Sequence, residues 1–303
     1  MSKIKQRKGE RILGTKKFTL SNISKPYGDK LVYRIIANET FGDVYEGTLG
    51  GYVEHEYNLS HEGNCWIYDN AIVAENATVS GNATLHDNAI VTENASIYGD
   101  AKLYNNVIVT GKSKVFECAR LYDNAYVTSR ASIYGSARIS GRSYISGNAK
   151  IYGYTEIEGR TTVTEDAEVF GYNITINGIS KIYENAIVYG NNIKFMFGEY
   201  NISNNAYISD LNDVFYISDD FKYSSDFTDF SITCYKTKYG YGIVFNNTYF
   251  NDINTFKNVL YKSDHNYKKI LSKKEIDALI EYMKLKIARK FYESKNKLPE
   301  ELK

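Results

Sequence analysis

Between Ala74 and Gly99 the chain runs AENATVSGNATLHDNAIVTENASIYG, and its small and aliphatic residues recur every six positions. Ala77, Ala83, Ala89 and Ala95 form one series, and Val79, Leu85, Val91 and Ile97 follow them two places later. Neither the 3.6-residue helical period nor plain strand alternation gives this spacing. A short strand followed by a sharp corner does. A repeat of this kind constrains the fold more than any single residue can.

The aliphatic slot continues without exception from Ile67 through Val73, Val79, Leu85, Val91, Ile97, Leu103, Val109, Val115, Leu121, Val127, Ile133, Ile139, Ile145, Ile151, Ile157 and Val163 to Val169. The slot two places earlier is Ala, except at Cys65, Val107, Ser113, Ser143, Thr155 and Thr161. Residues two apart on a strand share a face, so both slots point inward and the residue between them points out. Gly, Asp or Glu followed by Asn or Asp precedes most small slots and suits a corner. The phase slips by one residue near Gly171–Ile174 and resumes through Ile176, Ile182, Ala186 and Val188.

Sorted by a period of 18, like outward residues fall on like. One face carries Ile72, Ile90, Ile108, Tyr126 and Tyr144. A second carries Thr78, Ser96, Lys114, Ser132 and Lys150, flanked by Tyr98, Phe116, Tyr134, Tyr152 and Phe170. The third carries Trp66, Thr84, Lys102, Arg120 and Arg138, flanked by Tyr68, His86, Tyr104 and Tyr122. A period of 12 mixes these sets. The pattern therefore predicts a mainly β protein, a left-handed parallel β-helix with three hexads per coil. Asn70, Asn88, Asn106 and Asn124 share one corner, where stacked amides make a ladder along the axis.

Three segments follow from the extent of the repeat: an N-terminal β cap over 1–63, the β-helix over 64–195, and a C-terminal β region with helices over 196–303. The cap shows strand alternation in KFTLSNISK and DKLVYRIIANETFGDVYEGTLGGYVE, and it closes an open end. Its GTLGGY lacks the Lys-Ser/Thr of a phosphate loop and is expected to form turns. Beyond the coils the hexad rule is lost while alternation persists. FNDINTFKNVLYK has helical spacing. LSKKEIDALIEYMKLKIARKFYESK opens with a capping-box pattern at Ser272 and Glu275 and sets Ile276, Leu279, Ile280, Met283, Ile287 and Phe291 on one stripe.

Composition narrows the function classes. The formal charge of +1 over 303 residues gives no global pull toward nucleic acid, and three cysteines make no disulfide framework. MSKIKQRKGERILG lacks the apolar core of a signal peptide, and no run approaches a membrane span. A host-cell cytoplasmic location without membrane attachment is the expectation.

LGGYVEHEYNLSHEGNCWIYDNA (Leu49–Ala71), ITCYKTKYGYGIVF (Ile232–Phe245) and TFKNVLYKSDHNYKK (Thr255–Lys269) resemble segments of a family of phage and prophage proteins built on hexapeptide repeats. The resemblance implies the fold and a mobile-element origin, and it carries no assigned active site. Many other β-helices of this type are acyltransferases, which use a histidine at a subunit boundary and loops projecting from the coils. Here the hexads run from residue 63 to 170 without an insertion. His86 occupies an ordinary outward slot. His55 and His61, with Glu54, Glu56 and Glu62, match no metal-ligand spacing. Cys65 and Cys118 have no basic neighbour pattern that would activate a thiolate.

The expectation is thus a non-enzymatic, phage- or prophage-encoded protein whose β-helix engages a host macromolecule, with inhibition of a host defence system as one such role. The alternatives are a virion or tail-associated structural protein and a divergent hexapeptide acyltransferase. No catalytic residue, cofactor or metal is assigned. The partner surface is placed at Lys102, Arg120 and Arg138 beside Tyr104 and Tyr122, facing an acidic host protein or ribonucleoprotein. Nucleic acid is the less favoured partner, since the basic C-terminal helix carries no aromatic–basic motif. The apolar column Ile72, Ile90, Ile108, Tyr126 and Tyr144 is the expected docking or oligomer face, with a trimer favoured unless a flank folds over it.

Overall fold

The computed structural model describes residues 16–198, 200–203, 206–208, 214–217, 232–237, 240–245, 248–262 and 273–288. They fall into two compact units, Met1–Gly141 and Arg142–Lys303. The fold is mainly β, and both units contain parallel β-solenoid coils.

In the first unit every coil lays three two-residue strands on the coil before it. Ile72 pairs with Ile90, Ile90 with Ile108, and Ile108 with Tyr126. Thr84 pairs with Lys102, Lys102 with Arg120, and Arg120 with Arg138. Thr78 pairs with Ser96, Ser96 with Lys114, and Lys114 with Ser132. These are the three faces expected from the period of 18. The aliphatic slot is fully buried at every position from Ile67 to Ile139. Where the small slot is polar, its hydroxyl is returned to the backbone: Ser113 Oγ donates to Thr110 O at 2.6 Å.

The corners have a division of labour that composition alone does not reveal. The first residue of each corner pair takes a left-handed backbone: Asp69, Glu75, Gly81, Asp87, Glu93, Gly99 and Asn105 have φ between 52° and 70°. At several of these corners an acidic side chain accepts the amide one coil further on. Glu75 Oε2 accepts from Glu93 N at 2.7 Å, Asp87 Oδ2 from Asn105 N at 2.8 Å, and Asp123 Oδ2 from Gly141 N at 2.9 Å. The second residue supplies the expected amide ladder, in which Asn88 donates to Asn106 at 3.4 Å and Asn106 to Asn124 at 3.5 Å.

The N-terminal end is closed strand by strand. β1 (Phe18–Tyr27) and β2 (Lys30–Ala37) form an antiparallel hairpin, and β2 pairs with β3 (Leu49–Val53). β3 then lies parallel on the first coil, Tyr52 beside Ile72. Asn58 Nδ2 donates to Glu75 O and Ala77 O, both at 2.8 Å. The turn expected at GTLGGY is confined to Gly47, with φ 85°. Gly50 and Gly51 instead belong to β3. A side chain on Gly50 would meet Ile35 Cγ1 and Trp66 at 2.6 Å, so the sequence spends its glycines on a close crossing of strand and coil.

The second unit carries the phase slip. Strand residues Lys150–Ile157 pair in parallel with Glu168–Gly178, and the register breaks where Thr155 meets Ile174. The extra residue is Asn173, at φ 58°, and Asn173 Nδ2 donates to Asn192 Oδ1 at 2.7 Å. Later rungs keep the new spacing, as Thr162 pairs with Lys181. The coils give way to an antiparallel sheet through Ile232–Thr237, Gly240–Phe245 and Thr248–Phe250. Its side chains terminate the coil: Thr233 Oγ1 accepts from Asn201 N at 3.0 Å, and Tyr235 Oη donates to Ser203 O at 2.8 Å.

Helices α1 (Ile253–Lys262) and α2 (Lys273–Ile287) pack on that sheet. Asp252 Oδ1 accepts the Thr255 amide at 2.7 Å and caps the start of α1. The α2 stripe is as expected, with Ile276, Leu279, Ile280, Met283 and Ile287 buried against Ile253, Phe256 and Ile243. Ser272, Phe291 and the Glu275 side chain lie outside the described residues.

Candidate functional site

The third face of the first unit gathers the residues singled out for partner binding. Lys102, Arg120 and Arg138 occupy one position on successive coils because each is the outward residue between two inward slots. Arg120 and Arg138 are exposed, and Lys102 is half-buried. Beside them the rings form a continuous stack. Tyr68 and His86 have centroids 4.5 Å apart, His86 and Tyr104 4.7 Å, and Tyr104 and Tyr122 5.2 Å, with interplanar angles no larger than 14°.

This stacking changes the chemistry of the surface. His86 and Tyr104 have both ring faces covered by neighbours along the axis, so at these positions a partner meets ring edges and the Tyr104 hydroxyl. Tyr104 therefore offers no free ring face to the neighbouring guanidinium groups. Burial, with a smaller push from Tyr122, raises the Tyr104 phenol above its ordinary value, while Arg120 opposes the rise. The Tyr104 phenol is thus a neutral hydrogen-bonding group. On the adjoining corner, Asp69, Asp87 and Asp123 each hold a backbone amide of the next coil.

His86 sits inside this stack. Its Nε2 is 2.9 Å from Thr84 Oγ1. Burial depresses its pKa below the usual imidazole value, Asp69 and Asp87 pull the other way, and Lys102 adds to the lowering. A ring clamped on both faces supports a structural role for it.

The apolar column is only partly a surface. Ile72 is 7 % exposed because Val32 and Tyr52, with Tyr27 alongside, pack over it and Ala74. The hairpin tip is held there by Lys30, which meets Glu75 at 3.0 Å and Glu54 at 3.6 Å. The flank thus covers the start of the column, while Ile90, Ile108 and Tyr126 remain half-buried. Tyr144, in the second unit, is 40 % exposed.

A second cluster lies in the cap, and the sequence did not reveal it. Cys65 has a basic neighbour after all: Lys17 is fully buried, with Nζ 3.2 Å from Cys65 Sγ and 2.9 Å from Cys65 O. The two residues stand 48 positions apart, so no local spacing could signal the pair. Next to it, the Lys17 amide donates to His61 Nδ1 at 3.2 Å, and His61 Nε2 lies 2.8 Å from Glu56 Oε1. His55 pairs separately with Glu54 at 3.4 Å. Among the described residues no three His, Cys, Asp or Glu side chains converge as a metal site.

No protein-family model matches the chain. A stretch of 51 residues is 51 % identical to a protein of Escherichia coli (strain K12) named an uncharacterized acetyltransferase, YdcK. The stretch is 16 % of this chain and 16 % of that protein, so the chain spans about a sixth of the relative it matches. The scaffold is a hexapeptide-repeat β-helix. No described helix is long and apolar enough to cross a membrane.

Proposed function

We propose that this protein is a non-catalytic binding scaffold whose Lys102–Arg120–Arg138 face engages an acidic surface of a macromolecular partner. The observation that carries this reading is the rung-by-rung registration of the three cations. Cations at the roughly 4.8 Å spacing of adjacent strands repel one another, and an opposing anionic surface relieves that repulsion. The face is built from coils without inserted loops, so it suits an extended surface better than a small molecule. A host protein or ribonucleoprotein is the partner this reading assigns, with a phage or prophage as the origin of the chain.

The test is retention on immobilised polyglutamate. An Arg120→Glu/Arg138→Glu double variant should elute at clearly lower salt than the native protein, with its melting temperature held or raised. Unchanged elution would move the contact to another face, such as the Tyr98, Phe116 and Tyr134 stripe.

A second reading, a divergent acyltransferase, is favoured by the name of the E. coli relative. Calorimetric titration with acetyl-CoA separates the two. Saturable binding at micromolar concentration would support the transferase and overturn the non-catalytic assignment.

A further inference from the structure

The Lys17–Cys65 pair is used by neither reading. In a parallel coil each strand amide donates to the carbonyl of the next rung, as Cys65 N does to Gly81 O at 2.9 Å and Trp66 N to Ala83 O at 3.1 Å. Elsewhere on the first coil the cap supplies the donors, as Tyr52 N does to Ala71 O at 2.8 Å and Glu54 N to Val73 O at 3.1 Å, but at Gly63 and Cys65 the carbonyls meet a side chain. Lys17 takes that place: Nζ reaches Cys65 O at 2.9 Å and Gly63 O at 3.3 Å. Phe41 closes over the ammonium, 5.0 Å from ring centroid to nitrogen, and Phe18 stacks on His61 at 4.5 Å.

The sulfur is held as firmly as the nitrogen. Cys65 fills the small inward slot, and its thiol is directed at Ser60 O, 3.4 Å away, with Glu62 O at 3.6 Å. Lys17 Nζ approaches the same sulfur at 3.2 Å. Neither group needs to travel to reach the other, and both are excluded from competing water. Proximity of this kind converts an improbable encounter into an intramolecular step.

From this geometry we infer that Lys17 and Cys65 form an oxidative sulfur–nitrogen cross-link that ties the cap to the first coil. The oxidant is a peroxide. Peroxide takes two electrons from the sulfur: its O–O bond breaks, S–H becomes S–OH, and one water leaves. Lys17, after giving a proton to water admitted when the cap opens, attacks the sulfur with its lone pair. The S–N bond forms as the S–O bond breaks, and the departing hydroxide takes a proton from the nitrogen to leave as a second water. Condensation of a sulfenic acid with a backbone nitrogen to a thiol-reversible sulfenamide is a recognised branch of cysteine oxidation, and a deprotonated lysine amine is a stronger nucleophile than a backbone amide. Access follows local opening of the cap, the terminal segment of its sheet, since small openings of edge elements precede global unfolding.

The protein should be treated with hydrogen peroxide as the full chain in a Cys118→Ser background, because Cys118 is exposed and would oxidise on its own account. Tryptic digestion and mass spectrometry should find the Lys17 and Cys65 peptides joined, about 2 Da lighter than their sum, with cleavage after Lys17 blocked and both changes reversed by dithiothreitol. Cys65→Ser should abolish the joined species. Lys17→Arg keeps the cation but removes the nucleophile, and should leave a sulfenic acid that dimedone traps. The cross-linked form should melt at a higher temperature than the reduced form. Peroxide-treated Cys118→Ser protein that shows sulfinic acid at Cys65 with a free Lys17 peptide, or an unmodified Cys65, would overturn the inference without recourse to any other variant.

Discussion

The coils of the first unit and the sheet-and-helix layer of the second bury their cores by different rules. In the coils, Val115 is covered by Ile97 and Ile133, its own counterparts one coil away on either side. In the layer, Ile280 is buried among Ile253, Phe256, Ile243 and Phe250, which belong to different elements and repeat nowhere. The first arrangement is quasi-one-dimensional: each rung depends on two neighbours, and an error is passed along the axis. The second is an ordinary three-dimensional core, in which an error stays local.

A buried charge should expose this contrast most strongly. Val115→Asp places a carboxylate between two fully apolar rungs with no partner, a change that costs several kcal/mol. Loss of soluble protein is the expected outcome, and a Val115→Asp variant that melts like the native protein would refute the assigned register. Ile280→Asp, equally buried, should unfold the helical layer and leave the coils folded. Limited proteolysis should then cut within 232–288 and spare the segment from Trp66 to Gly141. Uniform digestion of both regions would show that the layer is required for the coils.

A corner substitution should have a smaller effect of the same kind. Gly81 has φ 68°, and a Cβ added there would lie 3.0 Å from Gly99 N and 3.1 Å from Gly99 O. Backbone atoms of the next coil cannot step aside as a side chain can. Gly28, in the cap hairpin, has nearly the same φ of 60° but nothing within 4 Å. Gly28→Ala should therefore show only the conformational penalty of the left-handed region, about 1 kcal/mol, while Gly81→Ala adds the overlap and should reach roughly twice that. Urea unfolding midpoints decide it. Equal losses would mean that the coils adjust along their axis more freely than the stacking implies.

The same contrast explains what could be read in the sequence. Every aliphatic slot from Ile67 to Val169 is buried as expected, because the repeat fixes both the partner and the direction of each side chain. The phase slip was legible too, since an inserted residue displaces every later slot, and Asn173 marks it. Lys17 was not legible. Its burial depends on one unrepeated crossing of the cap over the first rung, and nothing near position 17 encodes the thiol and carbonyls that receive it. A flank folding over the apolar column was among the expectations, but that Val32 and Tyr52 do so, and over Ile72, was not legible for the same reason. The cation column was legible as a column, while the ring-on-ring contact that sets its chemistry emerged only from the side chains.

The smallest expected effect tests whether a ring ladder passes protonation to stability. Burial in the stack is the chief cause of the depressed His86 pKa, so the folded protein resists the proton that the unfolded chain accepts near its ordinary value of about 6.5. Above that value both states are neutral at this residue and it adds no pH dependence. As the pH falls through it, the unfolded chain binds the proton first, and stability declines until the pH drops through the lower, folded value. Asp69, Asp87 and Asp43 face the ring and limit the decline, whereas Lys102 on the adjoining position enlarges it. His86→Phe keeps a flat ring between Tyr68 and Tyr104 but cannot take up a proton. Between about pH 7.5 and pH 5.5 its urea midpoint should fall less steeply than that of the native protein, with the two nearest each other at the upper end. Parallel pH profiles would mean that the stack opens to admit a solvated imidazolium, and the rigid ladder inferred for the partner face would have to be given up there first.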